Sequence, residues 1–333
     1  MTAGGWAARY AGRRVLITGG LGFIGSNLAI RLAEHGAEVT VLDALIPEHG
    51  GDRFNVAPVA SRIRIDTADL RDAHVLPAAV RDQEFVFHLA GQVSHGDSMR
   101  DPELDLTVNC VATINLVEAC RQFNPEARLI YTSTRQVYGV PRSLPVSEDH
   151  PPAPVDVNGI NKLAAEHYHL LYERTYGLRS AVLRLTNTYG PRQHIRNDRQ
   201  GFVGVFIRHA LRGEPIRLFG TGTQVRDLNY VDDVVDALVA TGVTAGCYGR
   251  VLNLGAPRRY SLLELVEVLG GLCPVKAEVV PFPEDRKLID IGDYYGDYSR
   301  FAALTGWQPR IELAEGLERT LAFYRRHPET YWA

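Results

Sequence analysis

A run of glycines, Gly19-Gly-Leu-Gly22-Phe-Ile-Gly25, directly follows the apolar stretch Val15-Leu-Ile-Thr18. Between a strand and a helix, glycines spaced like this cradle a pyrophosphate. One permits the tight turn, one lets the backbone approach the phosphates, and one lets helix and strand pack closely. The helix that follows offers free N–H groups and the positive end of its dipole to phosphate oxygens. Asp43 closes the next apolar run, Glu38–Asp43, 18 residues after Gly25. A carboxylate there binds an adenosine ribose 2′-hydroxyl and repels a 2′-phosphate, so the two features together predict NAD rather than NADP. The other chemistry-bearing type, cysteine, offers little. Cys110, Cys120, Cys247 and Cys273 form no CxxC pair. No metal site or disulfide framework is expected, and four buried thiols in a reducing cytoplasm are the expectation.

The elements that must position these residues alternate in type. Val15–Thr18, Glu38–Asp43, Arg62–Asp66, Phe85–Leu89, Arg128–Thr132 and Ser180–Leu185 read as strands. Helical patterns fall between them at 23–35, 71–80, 102–123 and 157–176. Such alternation predicts right-handed crossovers and an α/β fold, a Rossmann-type doubly wound parallel sheet with ligands beyond the carboxyl ends of its strands. Residues 1–185 are expected to form this NAD-binding domain. After residue 186 the pattern loosens, with helices expected at 202–212, 232–241, 261–270 and 312–326. Residues 186–333 read as a smaller substrate lobe, with parts of 227–258 returning to the main sheet. The segment Pro141–Pro154 holds five prolines and reads as a long loop.

The chain has 333 residues, 45% hydrophobic and 23% charged, enough for a full core without staples. Thirty-six basic and 39 acidic residues give a net charge of −3, which offers no general attraction to nucleic acid or an anionic membrane. No apolar run reaches the ~18 residues of a membrane span. The run after Arg13-Arg14 is broken by glycines and does not read as a secretory signal, so a cytoplasmic location is expected.

Taken in order, the motifs resemble the extended short-chain dehydrogenase/reductases of the nucleotide-sugar epimerase and dehydratase type. Thr18-Gly-Gly-Leu-Gly-Phe-Ile-Gly25-Ser-Asn-Leu is similar to that family's opening. The resemblance implies cofactor contacts from Gly19, Gly22, Phe23, Ile24, Gly25 and Asp43. It adds Asp69 and Leu70 at the adenine, Leu89, Ala90 and Gly91 in His88-Leu-Ala-Gly91 along the cofactor, and Asn109 supporting that loop. Thr132-Ser-Thr134-Arg-Gln-Val-Tyr138-Gly resembles the catalytic-strand motif. Arg184-Leu-Thr-Asn187-Thr-Tyr-Gly-Pro191 and Gln224-Val-Arg226-Asp-Leu-Asn-Tyr-Val-Asp232 resemble the substrate-lobe motifs. The match runs from residue 14 to about 325. Helices near 102–123 and 157–176 resemble the pair that forms a four-helix dimer interface, so a homodimer is expected. The run Asp198–Phe206 is similar to a subgroup that includes CDP-tyvelose 2-epimerases.

In that family a tyrosinate takes the proton of a sugar hydroxyl as hydride leaves the carbon. A lysine four residues on holds the nicotinamide ribose and favours the anion, and a Ser or Thr completes the set. Thr134 and Lys162 match the last two. Asn158 stands where the tyrosine would be, in Val157-Asn-Gly-Ile-Asn-Lys162, and an amide cannot serve as that base. Three readings follow. Another group supplies the acid/base chemistry, with His95 and Tyr294 as candidates. Alternatively, the substrate is an already oxidised or a uronic sugar. In the third, the protein binds NAD and nucleotide sugar without turnover. After Thr134 stand Arg135-Gln136, where the 4,6-dehydratases carry Asp-Glu. This argues against 4,6-dehydration and leaves an arginine able to grip a carboxylate or keto oxygen. Asn187, Arg226 and Arg286 resemble the residues that bind the substrate diphosphate, with Lys287 the alternative to Arg286. The function expected is an NAD-dependent nucleotide-sugar epimerase-type enzyme with a non-standard base.

Overall fold

The computed structural model describes residues 3–332. Its centre is a seven-stranded parallel sheet in the order β10-β6-β5-β4-β1-β2-β3. The strands are β1 (Arg14–Thr18), β2 (Glu38–Asp43), β3 (Arg64–Thr67), β4 (Phe85–His88), β5 (Arg128–Thr134), β6 (Ser180–Leu185) and β10 (Val251–Asn253). The apolar runs are continuous because both sheet faces are covered, and the period of two divides each run between two cores. Val15 and Ile17 pack with the helix Phe23–Glu34 and the helix Val231–Val243, whereas Leu16 packs on the opposite face with Leu116 and Val117. Phe85 and Phe87 share the first core, and Val86 the second.

The remaining strands are β7 (Asn187–Tyr189), β8 (Ile216–Phe219), β9 (Val225–Tyr230), β11 (Arg259–Ser261) and β12 (Ala277–Val280). They make two small sheets, β11-β9-β7 and β12-β8, over a separate apolar core that includes Phe206, Leu218, Tyr260, Leu265 and Leu317. The chain crosses between lobes: Val231–Val243 and β10 lie within the first lobe although they follow β9.

Several boundaries differ from the sequence expectation. The helix expected at 71–80 is reduced to Leu76–Val80. The Asp69 and Asp72 side chains accept from the Arg71 and His74 amides, so this stretch closes into turns rather than a helical ladder. The strand expected at 62–66 begins at Arg64, because Arg53–Arg62 forms a 3-10 stretch capped by Asp52. The helical region 102–123 contains a π turn at Thr107–Val111. Cys110, Cys120 and Cys247 are buried, but Cys273 is only half-buried, so the fourth buried thiol is not observed.

One buried ion pair ties the sheet to the helix Val157–Tyr176. Arg184 on β6 donates twice to Glu166, at 2.9 and 2.6 Å, and Ser133 on β5 donates to the same carboxylate. The arginine and glutamate side chains are 5% and 2% exposed. Removing one partner of such a pair leaves a buried charge uncompensated. Glu166→Ala is therefore expected to cost about 3–5 kcal/mol in urea unfolding. A loss below about 1 kcal/mol would mean that water solvates Arg184 freely.

Candidate active site

The carboxyl ends of β1, β2, β4, β5 and β6 open onto one cavity of about 900 Å³ that runs across to the smaller lobe. At its first-lobe end β1 turns through Gly19, whose φ is +68°, and a Cβ there would meet the Ala90 backbone at 2.7 Å. Only glycine allows this approach. A Cβ on Gly25 would stand 2.2 Å from the Gly19 carbonyl oxygen, so the first turn of the helix can pack on the loop only without a side chain. Gly22 caps the helix without a side-chain acceptor, leaving first-turn amides for a ligand.

Gly19, Gly22, Phe23, Ile24, Gly25, Asp43, Asp69, Leu70, Leu89, Ala90 and Gly91 all line the cavity. Asp43 Oδ2 accepts from Leu21 N at 3.0 Å and Oδ1 from Leu45 N at 2.9 Å. Burial raises its pKa in spite of these bonds. Asp69 is held by Arg71 at 2.6 Å, which pulls its carboxyl below the usual range. Asn109 stands behind this loop. It lines no part of the cavity, is buried, and donates to the Gln92 carbonyl at 3.0 Å, so it braces the loop rather than touching the cofactor space.

Thr134 ends β5 at the cavity, its Oγ1 accepting from Gln136 N at 3.2 Å. Lys162, 5% exposed, also lines the cavity. Its Nζ donates to the Thr132 carbonyl at 3.3 Å and lies 5.0 Å over the Tyr131 ring. Burial pushes its pKa down to about 8, although Asp105 and Glu166 pull the other way. Asn158 lies behind the cavity wall. It is 2% exposed, lies outside the cavity lining, and its amide donates to the Gln92 carbonyl at 2.8 Å and to Asp105 Oδ2 at 3.0 Å. Asn161 donates to the other Asp105 oxygen at 2.8 Å.

His95 lines the cavity from the first residue of the helix His95–Arg100, with Nδ1 2.9 Å from Asp156 Oδ2, off the line of an ideal hydrogen bond. Tyr294 is a correction. It is 1% exposed, lies outside the cavity lining, and packs in an apolar cluster with Val137, Tyr138, Val146 and Ile291. Burial raises its pKa well above normal, and its ring carries the Arg135 guanidinium 5.4 Å from its centroid.

Arg135 donates Nη2 to Asn187 Oδ1 at 2.9 Å, while its buried Nη1 has no protein partner among the described residues. Gln136 also lines the cavity, but its amide donates to Asp156 at 2.8 Å and to the Ile289 carbonyl at 3.2 Å. Asn187 lines the cavity and donates to the Asp227 carbonyl at 3.1 Å. Arg226 lines it too, 7% exposed and 3.4 Å from Asp290, and burial with the nearby Arg135 lowers its pKa to about 10. Arg286 lies at the far end, half-exposed and paired with Asp198 at 2.8 Å, whereas Lys287 is exposed outside the lining.

Sequence reasoning missed Asp105 and Asp156. Asp156 caps the Lys162 helix by accepting from Gly159 N at 2.6 Å, and an Asp just before a helical pattern is a legible N-cap signal. Asp105 gave no signal, because its two amide partners lie more than 50 residues away.

Residues 15–255 match the model of the NAD dependent epimerase/dehydratase family. The chain is 36% identical over 313 residues to a UDP-glucose 4-epimerase of Mycolicibacterium smegmatis, covering 94% of this chain and 98% of that protein. It is 33% identical over 326 residues to a dTDP-glucose 4,6-dehydratase of the same organism, covering 96% and 95%. The solved UDP-glucose 4-epimerase of Thermus thermophilus, a complex with NAD, superposes with a TM-score of 0.84 at 32% identity over 94% of this chain and 99% of that one.

The glycine cradle yields a direct test. Gly25→Ala is expected to reduce dinucleotide affinity on the order of 100-fold or more, since the new methyl displaces the Gly19 turn by a close backbone contact. Calorimetric titration of the purified variant with NAD measures it, and unaltered affinity would show that the turn has another way to relax.

Proposed function

The chain belongs to the NAD-dependent epimerase/dehydratase family, and on that footing we propose that it is an enzyme that isomerises a nucleotide sugar with tightly held NAD, using an acid/base group other than the family's tyrosine. One observation carries this: Gly22, Asp43, Lys162, Thr134, Asn187, Arg226 and Arg286 line a single cavity, in the sequence dinucleotide site, reaction centre, anion site. In this proposal the first-turn amides after Gly22 hold the pyrophosphate and Asp43 the adenosine ribose. Lys162 holds the nicotinamide ribose, and NAD, when bound, takes and returns a hydride. Thr134 hydrogen-bonds the reacting sugar oxygen. Arg226 and Arg286 bind the substrate diphosphate, aided by Asn187, since a guanidinium fork matches phosphate oxygens.

The Gln136 amide cannot remove a carbon-bound proton and is already bonded to Asp156, which favours epimerisation over 4,6-dehydration. Arg135 supports a narrower version in which the sugar carries a carboxylate or keto group. A buried donor without a partner costs free energy until an acceptor arrives, and Nη1 is such a donor beside Thr134.

The assembly follows from the same scaffold. Leu106, Val111, Ile160 and Leu171 are apolar and exposed on neighbouring helices within 102–123 and 157–176. This surface suits a two-fold pairing of those helices with a second copy. Light scattering at micromolar concentration is expected to give the mass of two chains, and a single-chain mass would refute the pairing.

The functional test begins with the purified protein. Denaturation is expected to release NAD rather than NADP. Incubation with UDP-, dTDP-, CDP- and GDP-linked glucose, N-acetylglucosamine and glucuronate is expected to yield an isomer of one of them by NMR. Arg135→Leu should raise KM chiefly for a uronate or keto substrate, by on the order of 10–100-fold, the value of a charge-assisted bond. Released NADP, or the absence of any isomer, would overturn the proposal.

A further inference from the structure

We infer that His95, oriented by Asp156, is the proton-transfer group of this site, and that Asn158, in the tyrosine's place, is a positioning residue that holds the histidine loop. This rests on the epimerase-type reading and names the acid/base group that it leaves open.

The argument begins with Asp156. Its side chain is 0% exposed, and it accepts from Gly159 N at 2.6 Å and from Gln136 Nε2 at 2.8 Å. Burial raises its pKa, but His95, Gly159 and Gln136 together bring it below the usual value, so the group is a carboxylate. A carboxylate only accepts, so the His95 nitrogen 2.9 Å away carries the hydrogen. Nδ1–H then faces Asp156, and neutral Nε2 is left as the base. Nε2 has no hydrogen-bond partner among the described residues, and His95 lines the cavity with Thr134 and Lys162. The off-line contact to Asp156 is of the kind that aligns when substrate closes the site.

Shared partners place the ring at the reaction centre. Asp156 is bonded to Gln136, whose own amide N–H donates to Thr134 Oγ1 at 3.2 Å. Asp156 also caps the helix that carries Lys162. The charged group in contact with His95 is Asp156, with Arg135 beyond it. Asp97 and Arg100 lie on the helix of His95, and Arg199 pairs with Asp97. Asn158 fastens the loop twice: its backbone N–H donates to Ser98 Oγ at 3.3 Å, and its amide donates to the Gln92 carbonyl. Ser98 Oγ in turn donates to the His95 carbonyl at 2.8 Å. A tyrosine at 158 would forfeit the amide bond that anchors this loop.

The chemistry balances. A sugar alcohol that becomes a ketone loses a proton from oxygen and a hydride from carbon. The hydride goes to bound NAD and the proton to His95 Nε2, giving an imidazolium that Asp156 stabilises. Both return when the ketone is reduced on its other face.

The test compares the unaltered protein with His95→Gln, Asp156→Asn and Asn158→Ala, each assayed for isomer formation and NAD content. Asparagine is also a good N-cap, so Asp156→Asn keeps the helix start. His95→Gln is expected to lower kcat by about 100-fold or more with NAD content unchanged. Asp156→Asn removes the carboxylate that orients the ring and should lower kcat more than it raises KM, with NAD content unchanged. Asn158→Ala should lower kcat more than it raises KM. Turnover that survives His95→Gln, or a kcat unchanged in Asp156→Asn, would overturn the dyad while the epimerase reading stands. Absence of any isomer from the unaltered protein would overturn that reading and the dyad's role together.

Discussion

The carbonyl oxygen of Gln92 is held by two side-chain amides, Asn109 at 3.0 Å and Asn158 at 2.8 Å, and much of the site depends on that clamp. It fixes the chain leaving β4 between two helices, one at each side of the loop. Upstream, Leu89 and Ala90 lie against the glycine turn at Gly19, and a Cβ on Gly91 would meet Lys162 Nζ at 2.9 Å. Downstream, Ser94 caps the short helix that begins with His95. The Asn158 amide thus secures the loop that leads into the helix of His95.

The same region shows how burial sets the charges. Lys162 and Arg226 are both pushed down, to about 8 and about 10, because each loses hydration in the cavity wall. Arg226 is further lowered by Arg135, while Asp227 and Asp290 offset part of the repulsion. Cations held near one another in this way make the cavity wall attractive to an anion. Beneath the floor, His88 sits between Thr18 at 2.9 Å and Thr113 at 3.0 Å. Burial, His169 and Lys162 hold its pKa well below normal. It is a neutral polar spacer that joins β1 and β4 to the helical layer.

The dehydratase and epimerase relatives share this scaffold at similar identity, so the fold does not choose the reaction. Two side chains at the end of β5 stand out at the cavity. Gln136 and Arg135 differ from a pair of carboxylates by two charges or more, and each is committed to a partner across the lobe boundary, Gln136 to the Ile289 carbonyl and Arg135 to Asn187. The second lobe therefore helps to shape the reaction centre through contacts as well as through substrate binding.

The sequence by itself determined the parallel sheet and its cofactor end. Apolar runs of period two, a glycine turn and the strand-end carboxylate Asp43 are local features, and their physics acts over a few residues. It also placed Thr134 and Lys162, because a strand end and a helix face follow from position in an element. Only the tertiary structure decided what Asn158 and Tyr294 do. Spacing put Asn158 on the same helix as Lys162, but the direction of its short side chain was set by Gln92 and Asp105, more than 50 residues earlier in the chain. Tyr294 shares a segment with residues that reach the cavity, yet its ring turned into the apolar cluster around Tyr138. The pairing of His95 with Asp156 spans 61 positions and joins a loop to a helix cap. A contact of that range exists only once the sheet has brought the two strand ends side by side.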